Sequence, residues 1–310
     1  MTIYRRFCLI MDRGNQKTDR PFTLRRFCIS LRGEAVIASL GTSILRGTHH
    51  LSLAPVRDLT YDSQNPFIER SDMKQPKDYI IFPLDVPTYD EAMKYVRTLK
   101  DHVGLFKVGL ELFISQGPDI LKAINDTAGN RIFLDLKLHD IPATVKRAFM
   151  VASSYAPEFV TVHCDEGEGS LKDVAENNPG RTKILAVTLL TSLNSKNLDI
   201  LGYRDRYVND LSDLVLLRAR IAREAGCQGI VCSGHEVGRI KREFPDLIAV
   251  TPGIRPAWSL VAGDDQKRVV TPQRAVRDGS DHIVIGRPIR DAKDPRDAAK
   301  KTAEEIAATL

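Results

Sequence analysis

The sequence has 310 residues, a net charge of +5, 43% apolar and 27% charged residues, which is typical of a globular protein with a large core. Residues 1–72 carry +4 of that charge, so the rest of the chain has no basic surplus of the kind that nucleic-acid binding needs. The five cysteines are odd in number and form no Cys-x-x-Cys pair, which argues against a disulfide framework and favours reduced thiols in a cytosolic protein.

Residues 1–72 differ in pattern from everything that follows. They contain two Arg-Arg pairs and scattered Ser and Thr, without a sustained period of 2 or 3.6. Acidic residues at Asp12, Asp19 and Glu34 argue against a transit peptide, and no apolar run suits a signal peptide or a membrane span. We therefore expect residues 1–72 to be a disordered or dispensable extension, or the product of an upstream start codon, and residues 73–310 to be the folded domain.

From residue 78 onward, short apolar strands alternate with helices. The predicted strands are residues 79–84, 105–108, 131–138, 159–163, 183–188, 229–232, 248–250 and 282–285. Helix starts are indicated by Thr88 and Glu91, which form a capping-box pattern, and by Pro142 and Pro272, while Gly226 ends a periodic helix. Eight strands and eight helices predict a single-domain α/β protein with a (β/α)8 TIM barrel. A doubly wound open sheet is the alternative, although no Gly-x-Gly-x-x-Gly follows the first strand.

The third predicted strand carries an unusual polar set. Asp135, Lys137 and His139 alternate with three leucines, which at period two sends the polar side chains to one face and the leucines to the other. A half-buried strand with its polar face in water would show the same alternation. However, Pro142 soon follows the strand, which suits a buried strand that ends in a loop. Charged residues at the end of such a strand indicate chemistry.

Barrel enzymes build their sites at the carboxyl ends of the strands. Those ends supply Asp85, Lys107, Asp135, Lys137, His163, Thr188, Ser233 and Gly286-Arg287. Two lysines and two aspartates on one face can pair alternately, as buried charges must. Gly286-Arg287 after the eighth strand, together with Arg255 after the seventh, favours a phosphate site over a plain turn.

Residues 135–144, Asp-Leu-Lys-Leu-His-Asp-Ile-Pro-Ala-Thr, resemble the Asp-x-Lys-x-x-Asp-Ile-Pro-x-Thr signature of the orotidine 5′-phosphate decarboxylase family, in its bacterial branch. The resemblance covers residues 78–310. Further matching segments are residues 84–85, 106–109, 187–192, 251–255, 265–268 and 285–288.

The resemblance implies cofactor-independent and metal-free decarboxylation of orotidine 5′-phosphate to UMP, the last step of de novo UMP synthesis. Lys137 would protonate C6 of the pyrimidine, Asp135 would lie beside the substrate carboxylate, and Lys107 and Asp140 would complete a charged network. The substrate-binding residues would be Asp85, Lys107, Thr144, Thr191, Arg255, Gln266, Gly286 and Arg287. Asp140 and Thr144 would enter from the partner subunit of a cytoplasmic homodimer with shared active sites.

Three features depart from the family pattern. Ala143 stands where Asn is usual. The segment from Arg255 to Gln266 is slightly long, so we expect the phosphate loop to have its own shape there. His163 is followed by two acidic residues, Asp165 and Glu166, where small residues are common, and the sequence does not assign them a role.

The chemistry of the residues agrees with this assignment. Loss of CO2 from a pyrimidine with no electron sink leaves a carbanion at C6, which a fixed Lys137 ammonium can stabilise and then protonate. Neighbouring carboxylates favour that ammonium form, which argues against a Schiff base. Phosphate contacts far from C6 would allow remote binding energy to act at the reacting carbon.

Two alternative functions are considered, and Lys107 decides against the first of them. A sugar-phosphate decarboxylase of the 3-keto-L-gulonate 6-phosphate type has a similar strand but binds magnesium, and it carries Glu where this chain has Lys107, so a cation stands in place of a metal ligand. A non-catalytic barrel that binds a nucleotide or a phosphate is the second alternative.

Overall fold

The computed structural model describes residues 74–129, 131–259 and 269–310, and before them only the backbone of five short strands. Two units are distinguished, Met1–Met73 and Lys74–Leu310. In the first unit, Phe27–Leu31, Glu34–Leu40 and Leu51–Leu53 form an antiparallel sheet, and Leu59–Thr60 pairs with Ile68–Glu69. The expectation of a disordered or dispensable extension over residues 1–72 stays a prediction.

The second unit contains eight parallel strands that close into a barrel. They are β1 (Ile80–Pro83), β2 (Leu105–Val108), β3 (Ile132–Leu138), β4 (Phe159–His163), β5 (Lys183–Val187), β6 (Gly229–Val231), β7 (Ile248–Thr251) and β8 (His282–Val284). Each strand pairs with the next one in sequence, and Ile283 of β8 pairs with Ile80 of β1 to close the ring. The predicted barrel is confirmed, and the open sheet is excluded.

Helices follow every strand. They are α1 (Tyr89–Leu99), α2 (Leu110–Gln116), α3 (Asp119–Ala128), α4 (Pro142–Ser154), α5 (Glu168–Glu176), α6 (Ser195–Ile200), α7 (Asp205–Asn209), α8 (Leu211–Glu224), α9 (Val237–Glu243), α10 (Pro272–Arg277), α11 (Arg287–Arg290) and α12 (Pro295–Ala307). None of the helices in the described residues is long and apolar enough to cross a membrane.

The prediction of eight helices was wrong, for local reasons. The helix expected after β2 is divided at Gly117, whose φ of 65° leaves the right-handed region, and Pro118 follows it. The connection after β5 also contains two short helices, α6 and α7. These helices have 6 and 5 residues, too few to show a helical period.

Alternation along the strands separates two apolar layers. Inside the barrel, Phe133 and Phe159 meet edge to face with ring centroids 6.0 Å apart, and Ile81, Leu105, Leu185 and Val250 complete this inner layer. The neighbouring residues Phe82, Phe106 and Leu134 point outward and pack under the helices. The inner layer fills the barrel, so side chains two residues further along each strand lie above it, at the carboxyl ends.

Candidate active site

A pocket of about 490 Å³ opens at the carboxyl ends of the strands. Its polar lining consists of Asp85, Lys107, Asp135, Lys137, Thr191, Arg255, Arg287 and Arg290, and Gly286, Leu189 and Leu190 are among the other lining residues. Eight predicted site residues are therefore brought together: Asp85, Lys107, Asp135, Lys137, Thr191, Arg255, Gly286 and Arg287. Three other strand-end residues named from the sequence, His163, Thr188 and Ser233, do not line the pocket. Gln266 lies outside the described residues.

Four charged side chains form a chain of alternating sign along one wall. Lys137 Nζ donates to both oxygens of the buried Asp135 carboxylate, at 2.9 Å and 2.8 Å. Lys107 Nζ lies 3.7 Å from Asp135 Oδ2 and donates to Asp85 Oδ1 at 3.0 Å. Each cation faces a carboxylate, which is the condition under which charges can be buried at all.

The strand that carries this pair is not regular. Leu134 pairs with Val160 of β4, but the next register partners are Leu138 and Val162, so four steps on β3 match two on β4. Lys137 adopts a φ of 48°, a left-handed conformation that is rare for a residue with a Cβ. Irregular pairing of this kind re-aims side chains next to active sites.

The irregularity corrects one sequence expectation. His139 was assigned to the same face as Asp135 and Lys137 by strict alternation. Instead His139 is exposed, does not line the pocket, and stacks on the ring of His163 with centroids 4.9 Å apart. The expected alternation of side chains between the two faces does not hold here, because the backbone leaves the regular hydrogen-bonded ladder between Leu134 and Leu138.

The two unassigned acidic residues after β4 have structural partners. Asp165 accepts a hydrogen bond from the buried Arg218 of α8, which also donates to Thr188 O and, at 2.9 Å, to the Tyr203 hydroxyl. Asp165 Oδ2 is also 2.8 Å from His163 Nδ1, although that approach is not aligned as a hydrogen bond. Arg218 therefore ties the ends of β4 and β5 to α8, behind the pocket wall.

Two residues of this segment, His163 and Glu166, have shifted pKa values. Burial, assisted by the charge of Arg218, lowers the pKa of His163, so its ring is neutral near pH 7. Burial raises the pKa of Glu166, opposed by the hydrogen bond at 2.6 Å that Ser170 Oγ donates to its carboxylate. Neither Asp165 nor Glu166 lines the pocket.

The opposite end of the pocket is basic. Arg255 is buried and donates to Ile254 O at 3.0 Å, and Arg287 begins α11 directly after Gly286. A Cβ at Gly286 would come within 3.1 Å of Pro83 Cγ, so the close approach of β1 favours glycine there. Guanidinium groups beside a helix start suit a phosphate group.

Sequence reasoning missed Arg290, which also lines the pocket. Its Nη1 donates to Asp85 O at 3.2 Å, and Asp291 holds its Nε at 2.7 Å and its Nη2 at 3.2 Å. Arg290 lies three residues after Arg287, a spacing that places both on one side of a helical turn. That spacing is the signal that could have identified it.

Asp140 and Thr144 do not line the pocket of their own chain. Asp140 Oδ1 accepts from Ile141 N at 2.7 Å, and Thr144 Oγ1 is 3.5 Å from Arg147 Nη2. Asp140 is exposed at the rim, in the loop between β3 and α4. The expectation that both residues serve a partner's site stays a prediction.

Comparison with known proteins adds to this geometry. The model of the orotidine 5′-phosphate decarboxylase / HUMPS family matches residues 78–302. The chain is 47% identical over 239 residues to an orotidine 5′-phosphate decarboxylase of Desulfosudis oleivorans. The alignment covers 76% of this chain and 96% of the relative. It is 44% identical to the enzyme of the same name from Methylococcus capsulatus, over 74% of this chain and 92% of the relative.

A solved structure agrees with the sequence comparison. The crystal structure of orotidine 5′-phosphate decarboxylase from Lactobacillus acidophilus superposes with a TM-score of 0.61 at 33% identity, over 73% of this chain and 98% of that one. The region matched by the family model, residues 78–302, contains all eight strands and every described residue that lines the pocket. The chain is therefore a member of the orotidine 5′-phosphate decarboxylase / HUMPS family.

Proposed function

We propose that this protein decarboxylates orotidine 5′-phosphate to UMP, the last step of de novo UMP synthesis, without a cofactor. The observation that carries the proposal is the Lys137 ammonium held against the Asp135 carboxylate in a pocket whose other end is basic. The names of relatives that are 40–47% identical support it.

Lys137 is the proton donor in this proposal. When the bond between C6 and the carboxylate breaks, its electron pair stays on C6 and CO2 departs. The fixed ammonium stabilises that charge and then transfers one proton to C6, which leaves a neutral amine that solvent reprotonates. Asp135, beside the substrate carboxylate, disfavours the substrate charge more than the transition state, in which that charge has moved towards Lys137.

The remaining pocket residues bind the substrate. Asp85 and Lys107 meet the ribose hydroxyls, and Thr191 meets the base. Arg255, Gly286, Arg287 and Gln266 hold the phosphate. Phosphate contacts remote from C6 contribute binding energy that positions the reacting carbon.

We further propose a cytoplasmic homodimer with shared sites, in which Asp140 and Thr144 enter the partner's pocket. Exposed apolar side chains on and beside α4 support this: Ile141 is 68% and Val151 59% exposed. Exposed apolar groups along a helix that begins at the rim of the pocket are typical of an interface between subunits. Three free cysteines in the described residues, Cys164, Cys227 and Cys232, fit a reducing compartment.

A magnesium-dependent sugar-phosphate decarboxylase is the disfavoured alternative. A metal at this position would need carboxylate ligands, yet the Lys107 ammonium lies between Asp85 and Asp135, at 3.0 Å and 3.7 Å. A second cation there would be repelled. A non-catalytic barrel would bind the nucleotide and release no CO2.

The deciding experiment is incubation of the EDTA-treated protein with orotidine 5′-phosphate while CO2 release and UMP formation are followed. We expect full turnover without added metal, and none for Lys137→Ala. Activity that appears only with Mg²⁺ and a keto sugar phosphate would favour the alternative enzyme. Binding of the nucleotide without CO2 release would favour the non-catalytic barrel.

A further inference from the structure

Thr161 lies directly behind the two residues proposed to carry the chemistry. It is fully buried on β4, between Phe159 and His163, which are also on the barrel side of the strand. Its hydroxyl is 3.0 Å from Asp135 Oδ1 and 2.8 Å from the backbone nitrogen of Lys137. One side chain therefore contacts both the carboxylate and the backbone that bears the ammonium.

The direction of both hydrogen bonds is fixed by the groups involved. A backbone N–H can only donate, so the Thr161 oxygen accepts from Lys137. The carboxylate can only accept, so the single hydroxyl proton is donated to Asp135. The hydroxyl thus donates its only proton to Asp135 and accepts one hydrogen bond from Lys137.

The backbone of Lys137 needs this acceptor. The register jump between Leu134 and Leu138 takes Lys137 out of the ladder between β3 and β4, where a strand carbonyl would normally accept its N–H. The residue also holds a φ of 48°, a conformation that persists only where the surroundings enforce it. The hydroxyl of Thr161 replaces the missing ladder acceptor and supports that conformation.

We propose that Thr161 is a positioning residue for the decarboxylation. By fixing the Asp135 carboxylate from one side and the Lys137 backbone from the other, it sets the contact of 2.8 Å between Lys137 Nζ and Asp135 Oδ2. The inference rests on the proposed roles of Asp135 and Lys137. Displacing a catalytic group by about 1 Å can lower the rate about 100-fold, so a residue that fixes this geometry can affect turnover strongly.

Two comparisons isolate the contribution of the Thr161 hydroxyl: the parent with the Val variant, and the Ser variant with the Ala variant. Thr161→Val keeps the shape and removes the hydroxyl, and Thr161→Ser can be compared with Thr161→Ala, since these two differ only in the hydroxyl. We expect kcat to fall about 10- to 100-fold in the Val and Ala variants, because an unpaired buried N–H and a released carboxylate are both unfavourable. Thr161→Ser should keep kcat within about fivefold of the parent, and KM and the Kd of UMP should stay within about threefold in all three.

Thr251→Val is the matched control. Thr251 is a fully buried threonine of β7 whose hydroxyl bonds Ser280 Oγ at 2.7 Å, and it does not line the pocket. Its substitution should lower the melting temperature and leave kcat unchanged. If the Val variant of Thr161 does not fold, the comparison of Ser with Ala gives the same answer.

Three outcomes would overturn the inference. Equal kcat in the Ser and Ala variants would show that the hydroxyl has no part in turnover. Parent-like kcat in Thr161→Val would show the same. A loss of kcat in Thr251→Val as large as in Thr161→Val would indicate a general effect of stability. Lys137→Ala, assayed in parallel, separates the two proposals, because an active Lys137→Ala would refute the catalytic assignment itself.

Discussion

Lys107 Nζ donates a hydrogen bond of 3.0 Å to Asp85 Oδ1, and the same nitrogen is the second cation near Asp135. The lysine thus links a residue proposed to meet the ribose with one proposed to face the reacting carboxylate. Removing it would leave two carboxylates near each other with one cation, Lys137, at the far side of Asp135.

We therefore predict that Lys107→Met lowers kcat/KM by at least about 100-fold, since it removes one of the two cations beside the buried Asp135 and the lysine partner of the half-exposed Asp85. Steady-state kinetics with orotidine 5′-phosphate would measure this. Lys146→Met is the control, because Lys146 pairs with Asp173 at 2.9 Å between α4 and α5, outside the pocket lining. A comparable loss in both variants would contradict the prediction.

Lys137→Ala should lower kcat by at least about 1,000-fold, because the proton transfer and the charge stabilisation are made in the transition state. Binding of UMP, measured by calorimetry, should persist, since the basic end of the pocket is unchanged. Near-normal turnover by this variant would refute the proposed mechanism.

The shared-site proposal predicts recovery of activity on mixing. Lys137→Ala and Asp140→Ala homodimers should each be strongly impaired. After subunit exchange, a hybrid dimer has one site with both substitutions and one site with neither, so activity should reappear. If both residues served the same chain's site, every site in the hybrid would carry one substitution. Exchange verified by mass spectrometry without regained activity would therefore contradict shared sites.

Arg218→Met should destabilise the fold by about 1.5 to 3 kcal/mol, because Asp165, whose side chain is 30% exposed, would lose a charged hydrogen-bond donor. Thr188 O would lose a donor at the same time. Urea unfolding would measure the change. On the same helix, Arg223 pairs with Asp246 in an exposed position at 2.9 Å, so Arg223→Met should cost less than about 1 kcal/mol. Equal costs for the two variants would be inconsistent with the bracing role of Arg218.

His282 lies on β8, and we predict that it makes the free energy of unfolding of the barrel sensitive to acid. Burial, with added repulsion from Lys74 and Lys183, lowers the pKa of its ring to about 3, while a hydrogen bond to the Asp78 backbone acts the other way. The unfolded chain, with an ordinary pKa of about 6.5, binds the extra proton between pH 6.5 and 3. Stability is therefore fully present above pH 6.5 and falls on acidification by up to about 1.4 kcal/mol per pH unit.

The test compares the parent protein with His282→Gln, which cannot gain this charge. The loss of unfolding free energy between pH 7 and pH 5 should be smaller in the variant, while groups common to both proteins cancel. Parallel pH profiles would show that His282 does not contribute.

Much of the barrel was predictable because its signals are local. Each strand is a short apolar run, and the predicted ends agree with the structure within about two residues, as for 105–108 and 159–163, which match. Asp85, Lys107, Asp135 and Lys137 could be grouped because the carboxyl ends of barrel strands meet at one face.

The remaining features depend on partners distant in sequence. The register jump that removes His139 from the pocket face arises from pairing with β4, and no pattern within 134–139 reveals it. In the sequence, Arg218 resembles any charged residue of an amphipathic helix. In the structure it is buried and donates a hydrogen bond to Asp165, which lies 53 residues earlier in the chain. Thr161 reads as an ordinary strand residue, because its role is visible only once β3 and β4 are adjacent.

Barrel closure also governs when the site can exist. Arg290 bonds the carbonyl of Asp85, its neighbour in space although 205 residues earlier in the chain, because β8 pairs with β1. A nascent chain that has emerged from the ribosome only as far as β7 lacks Arg287, Arg290 and the strand that joins them to Asp85. A partial product of synthesis that ends before β8 therefore lacks part of the basic end of the pocket, and we expect no activity until the last strand closes the ring.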